Sequence, residues 1–358
     1  MMGMKEKLNF GLFSKYRGEL YGIATVMILI FHSQVTMVHP GWFNAINMHL
    51  NYGVDIFLFL SGISLYFSFS KDNNYGRFMK KRCERTLLPY LIVGFFFWLW
   101  RYVFAQFSIA DFIYNISGMS LFLVKKGEQL LIGQPEMWYV AFILGLYAVY
   151  PIFYNMFFNV TKKKRNINFA LLTLTAVVFV FFVKFYTPDF YTSTEVWLTR
   201  IPVFLLGCYL GESVKEKRPF KAVDIIAFLS VIPLKALSII LKGVADEKLM
   251  LRFLGLFGAL FICFFVVFVF EKLGMKPVRK LCTFIGNISL EMYMIHVMLY
   301  KVVLYYIPDI RTSDDYSMMK NGLLYLGIIA VSFILSLLFK KFTDCIIVKM
   351  NKVKKSDS

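Results

Sequence analysis

Four histidines occur in the chain, and two of them, His32 and His296, fall inside long apolar stretches. His32 follows Arg17 by about fifteen residues, roughly 22 Å along a helix that rises 1.5 Å per residue. His296 lies at a similar depth in a stretch near the other end of the chain, so the two imidazoles suggest a shared polar cavity. A neutral imidazole takes a proton from a hydroxyl near physiological pH, which makes His32 a candidate general base; its other reading is a ring that bridges two helices. For His296, between Tyr293 and Met298, the bridging reading is the preferred one, and His39 and His49 read as surface histidines.

Asp55 opens the next apolar stretch, where it either orients His32, binds an acceptor hydroxyl or simply complements the helix dipole. Arg82 and Arg85 stand three residues apart, one helical turn, in the basic elbow KDNNYGRFMKKRCER. Two guanidinium groups on one face grip a phosphate-bearing ligand; alternatively they are topology signals at a membrane boundary. Glu136, Trp138 and Tyr139 place a carboxylate beside aromatic rings, an arrangement that suits a carbohydrate, although Trp and Tyr also anchor helices at any membrane interface.

The elements that must position these groups are membrane helices. Hydrophobic residues make up 58% of the 358 residues and mean hydropathy is +0.62, well above a soluble domain. Ten apolar stretches approach the ~20 residues that cross a hydrocarbon core: 18–38, 53–70, 87–108, 137–159, 167–185, 196–213, 222–242, 249–270, 283–305 and 321–341. Because a backbone in lipid must satisfy its own hydrogen bonds, an all-α polytopic bundle is expected. With the N-terminus placed in the cytoplasm, 28 of the 40 Lys and Arg fall in cytoplasmic segments and six in or beside outer loops, so both termini are expected inside.

The net charge of +18 is distributed over those short loops. Anionic lipid headgroups are therefore the expected partner, and nucleic acid is not. The first apolar stretch carries His32 and lacks a small-residue cleavage site, so it reads as a retained helix and not a removable signal. Cys83, Cys208, Cys263, Cys282 and Cys345 show no metal-ligand spacing, and neither a metal nor a disulfide is expected. A membrane domain over 1–342 and a basic, partly disordered cytoplasmic tail over 343–358 complete the organisation.

The order of these motifs resembles the acyltransferase 3 family of integral membrane acyltransferases. RGELYGIATVMILIFHS is similar to its first helix, GVDIFLFLSG to its second-helix signature and RCERTLLPY to its arginine pair before Pro-Tyr. MWYVAFILGLYAVYP, RIPVFLLGCYLG and NISLEMYMIH extend the likeness over most of the chain. Tyr21 stands where the family commonly has a second arginine, and Glu291 where it often has a small or apolar residue.

The resemblance implies an acyl-CoA, acetyl-CoA above all, as co-substrate, with no bound cofactor, and a saccharide or glycolipid hydroxyl as acceptor, in the plasma membrane of a bacterium. It implies His32 and Asp55 as catalytic residues and Arg82 and Arg85 as donor-binding. Glu136, Trp138, Arg200, Glu291 and His296 are then candidates for acceptor binding or the cavity wall. No esterase-like domain is expected after the tenth span, so the acyl group would pass directly to the acceptor or to a separate partner. The rival classes are a transporter or flippase of a lipid-linked saccharide and an inactive subunit of a polysaccharide-synthesis complex; neither transfers label from acetyl-CoA to glycan.

Overall fold

The computed structural model describes residues 8–37, 39–105, 108–117, 137–241, 243, 246–307 and 316–356. Among the described residues the chain is helical throughout: α1 (Gly11–Lys15), α2 (Arg17–His32), α3 (Gly41–Leu50), α4 (Tyr52–Phe69), α5 (Tyr75–Arg82), α6 (Leu88–Ala105), α7 (Ile109–Ile116), α8 (Trp138–Phe158), α9 (Lys162–Tyr186), α10 (Pro188–Leu198), α11 (Ile201–Lys215), α12 (Ala222–Leu229), α13 (Val231–Ile240), α14 (Glu247–Leu273), α15 (Lys276–Gly286), α16 (Ser289–Tyr306) and α17 (Tyr316–Ser356). Strand-like pairing is confined there to one antiparallel bridge, Asn9 with Pro219.

Local chemistry sets the helix ends. Thr161 accepts a hydrogen bond from the Lys164 backbone at the start of α9, and the Asp246 carboxylate accepts one from Leu249 at the start of α14, 2.9 Å. Pro188, Pro202 and Pro277 sit in the first turns of their helices, where a missing N–H costs nothing. Gly274, with φ of +72°, and Met275, with φ of +32°, make the sharp link from α14 to α15.

Among the described residues eight helical runs are long and apolar enough to cross a membrane, or nine when α15 and α16, bent by 65°, count as one. Ten were expected, and the difference falls at 196–213. There the chain breaks at Thr199 and Arg200 into the eleven-residue α10 and the fifteen-residue α11, each shorter than a full span. A buried arginine followed by Pro202 accounts for the break, because Arg200 is held by side-chain partners in place of lipid and Pro cannot continue the preceding ladder. α17 runs on through Lys340 and Lys341 to Ser356, so the segment set apart as a tail from 343 is helical as far as residue 356.

The chain divides into two compact units, one of Met1–Ile28, Ala45–Asn74 and Val149–Asn287, the other of Leu29–Asn44, Tyr75–Ala148 and Ile288–Ser358. In the first, α4 lies along α11 at a seam of small residues. A Cβ added to Gly62 would meet the Phe204 carbonyl, and one added to Gly207 the Phe59 carbonyl. Close backbone approach of this kind is how helices associate where no hydrophobic effect separates protein from solvent. The first half of α2 meets α15 in the same way, through Gly22 against Cys282 and Gly286 against Gly18. Phe179, Phe182 and Phe185 of α9 are exposed, as a lipid-facing surface requires.

In the second unit α16 packs on α17 and α6. Tyr90, Val93, Met137, Val140 and Met294 form one core cluster, and Val297, Tyr300, Tyr325 and Ile328 another.

Candidate functional site

The second unit brings His32 to His296. At the end of α2 the helix tightens into a 3₁₀ turn over Ser33–Val35, and the Leu29 carbonyl accepts a hydrogen bond from Tyr325 Oη of α17, 2.5 Å. That bond ties the last turn of α2 to α17 and fixes where His32 stands. His32 Nδ1 is 2.8 Å from His296 Nε2, and the rings lie nearly stacked with centroids 5.0 Å apart. His296 is 1% exposed, whereas His32 is only partly covered. Tyr300, one turn further along α16, sets its ring 5.6 Å from His32 and 6.0 Å from His296, and Lys301 lies within electrostatic reach of His32.

Aromatic contacts lead away from this pair. His296 meets Tyr293 at 6.3 Å, Tyr293 meets Tyr139 at 5.8 Å, and Tyr139 meets Trp138 at 6.1 Å. Trp138 thus joins the histidines through two tyrosines without touching them in these contacts. Glu136 lies outside the described residues. Glu291, five residues before His296, has its carboxylate 3.6 Å from Lys340 Nζ of α17 and is 5% exposed.

Arg82 ends α5 immediately before a π-helical turn, Cys83–Leu87, that contains Arg85 and leads into α6. A π-turn closes with i→i+5 hydrogen bonds, so a step of three residues falls well short of a full turn. The two guanidinium groups therefore do not stack on one face as an unbroken α-helix would place them. Arg82 is half-buried with its guanidinium 5.3 Å from the ring centres of Phe78 and of Tyr147 on α8, whereas Arg85 is exposed. Bulges of this type are frequent at functional sites.

The first unit holds Asp55 and Arg200. Asp55 is in the first turn of α4, and its Oδ1 is 3.4 Å from Arg200 Nε; the two side chains are 4% and 2% exposed. Arg200 also donates to Asn51 Oδ1, 3.0 Å, and to the Val196 carbonyl. Nearby on α10, Glu195 is 2% exposed and its Oε1 lies 2.5 Å from Lys248 Nζ and 3.6 Å from Arg252 Nη2, both on α14. Sequence reasoning missed Glu195, Lys248 and Arg252, and it missed Arg101, which is buried on α6 over the Phe97 ring. The signal was present, since an ionisable group at membrane depth is a functional candidate by default.

Among the described residues no group of three or more His, Cys, Asp or Glu side chains is placed to hold a metal ion.

Long apolar helices, charged side chains withdrawn between them and a histidine pair define a polytopic helical membrane protein with polar chemistry inside the bundle. The chain belongs to the acyltransferase-domain family, whose model matches residues 21–341, and it is thus a membrane acyltransferase. No curated protein and no solved structure matches it.

Proposed function

We propose that this chain moves an acyl group, acetyl by preference, from a cytoplasmic acyl-CoA to a hydroxyl of a cell-surface or lipid-linked saccharide. One observation supports a base of this kind: within an acyltransferase family, His32 sits in a membrane helix with its Nδ1 already engaged by His296. That leaves the opposite ring nitrogen to serve an acceptor hydroxyl. In the step we assign, His32 takes the hydroxyl proton while the acceptor oxygen attacks the thioester carbonyl carbon. A C–O bond forms, the C–S bond breaks, and the coenzyme A thiolate recovers the proton from His32.

Arg82 and Arg85 hold the phosphates or pantetheine end of the donor on the cytoplasmic side, a reading that the basic residues of the elbow support. The long pantetheine arm then carries the thioester from the basic elbow toward the histidines. Trp138 and Glu136 meet the saccharide. Asp55 serves by fixing Arg200, so that the α4–α11 pair keeps its shape.

The test is transfer of radiolabel from acetyl-CoA to a glycan by the purified protein in lipid nanodiscs. Label should reach the glycan with the unaltered chain and not with His32→Ala. Transfer at the normal rate by His32→Ala would remove the base assignment, and label on no glycan from any acyl-CoA would remove the reading itself.

A further inference from the structure

We propose that His296 is a positioning residue: it holds His32 in the tautomer that carries its proton on Nδ1 and leaves Nε2 as the basic nitrogen. The inference rests on the assignment of His32 as base and deepens it. One chain of hydrogen bonds fixes the protons, starting at an atom that can only accept. His296 Nδ1 is 2.8 Å from the carbonyl oxygen of Met292, one turn earlier on α16. A carbonyl oxygen accepts and never donates, so the proton is on His296 Nδ1.

His296 is 1% exposed, and no described carboxylate pairs with either ring. An imidazolium buried without a counter-ion is strongly disfavoured, so the His296 ring is neutral and has one proton. Its Nε2 is therefore a bare acceptor. The atom 2.8 Å away, His32 Nδ1, must be the donor. His32 in turn has one proton to place, and it is on Nδ1; Nε2 is left with its lone pair.

Three features hold the arrangement in register. The i, i−4 bond to Met292 fixes the plane of the His296 ring. Ser336 Oγ reaches the Met292 sulfur at 3.7 Å, which ties the same turn of α16 to α17. The Tyr300 ring packs near both, with its centroid 5.6 Å from that of His32 and 6.0 Å from that of His296. When His32 Nε2 takes a proton, its Nδ1–H bond to His296 becomes charge-assisted and shortens, so the acceptor stabilises the cation that forms in the step. A carboxylate usually fills this place beside a catalytic histidine; a second neutral imidazole does it here without adding a buried charge.

The test reads the tautomer directly. The full chain is labelled with ¹⁵N-histidine, reconstituted in liposomes and measured by solid-state NMR, with the His32 signals assigned by their loss in His32→Ala. The expected result is His32 protonated on Nδ1 and bare on Nε2. In His296→Ala the Nε2–H form should appear, and kcat should fall ~10²–10⁴-fold, the usual worth of a general base, with KM for the donor within about threefold. His296→Gln supplies a carbonyl acceptor and should keep the Nδ1–H form and recover kcat at least about tenfold over His296→Ala. Wild-type His32 protonated on Nε2 would overturn the proposal, as would a His296→Ala protein with unchanged kcat. Should His296→Ala fail to fold, the wild-type spectrum and His296→Gln still decide. The spectrum is independent of turnover, so a chain that transfers no acyl group overturns the function while leaving the tautomer assignment to its own result.

Discussion

Asp55 and Arg200 face each other at 3.4 Å between α4 and α11, and almost no water reaches either. Removing one member of such a pair strands the other as an uncompensated charge, at a cost of about 3–5 kcal/mol. Asp55→Asn should therefore lower the melting temperature of the purified protein in detergent, followed by tryptophan fluorescence. Neutralising both, with Asp55→Asn and Arg200→Gln together, should recover part of the loss. Equal melting of the single and double variants would mean that the pair contributes nothing.

The seam between α4 and α11 makes a second prediction. Gly207→Ala puts a methyl group into the Phe59 carbonyl, and Gly62→Ala puts one into the Phe204 carbonyl; both obstacles are backbone and cannot swing aside. Each should cost about 1–3 kcal/mol by overpacking. Gly145→Ala on α8, where an added Cβ meets nothing within 4 Å, is the control. If all three melt alike, the close approach is not what holds these helices.

Arg82 and Arg85 differ in surroundings, and their variants should differ in effect. Loss of a charge-assisted contact is worth about 1.5–3 kcal/mol, or roughly ten- to a hundredfold in affinity. Arg82→Ala should weaken coenzyme A binding by that factor in titration calorimetry. Arg82→Lys should recover little of it, because an ammonium cannot lie flat between Phe78 and Tyr147. The exposed neighbour Lys81 is the comparison: Lys81→Ala should change affinity by less than about twofold. Unchanged binding in Arg82→Ala would return Arg82 to the role of a topology signal.

Asp246, at the N-cap of α14 just before the membrane helix, gives a pH prediction. The hydrogen bond from Lys184 Nζ, 2.5 Å, and that from the Leu249 backbone hold its carboxyl below the usual 3.8. A depressed folded value means that its contribution is present above pH 3.8 and is lost as pH falls through the folded value. Asp246→Ala should cost about 1 kcal/mol at pH 7, the worth of an N-cap. Asp246→Asn keeps a capping oxygen but loses the ion pair, so its deficit should shrink as melting is repeated below about pH 4. A deficit that stays constant down to pH 3 would show that the charge does not matter.

Much of the bundle was legible because lipid imposes a length and forbids an unsatisfied backbone. Depth was legible too: counting residues from Arg17 put His32 level with His296, and their rings meet. The break at Thr199–Arg200 was hidden, since 196–213 is apolar enough to pass for one helix and only the partners of Arg200 reveal the interruption. Pairings across distant helices, such as Glu195 with Lys248 or Glu291 with Lys340, have no signature in spacing along the chain. They depend on which faces of two helices turn toward each other, and that is decided by packing.

The π-turn at Cys83–Leu87 can be regarded as a helix with one residue more than a regular ladder accommodates. Deleting one residue there, between Arg82 and Arg85, would let α5 run into α6 as a continuous α-helix. The flanking turns would keep their phase, because the π-turn already takes up the extra residue, but Arg82 and Arg85 would then stand two residues apart, about 200° round an α-helix. The angle between the two arginines is thus set by a count of backbone residues. Any of several substitutions at Cys83, Glu84 or Thr86 could leave that angle intact, whereas a one-residue deletion that preserved both arginines would not.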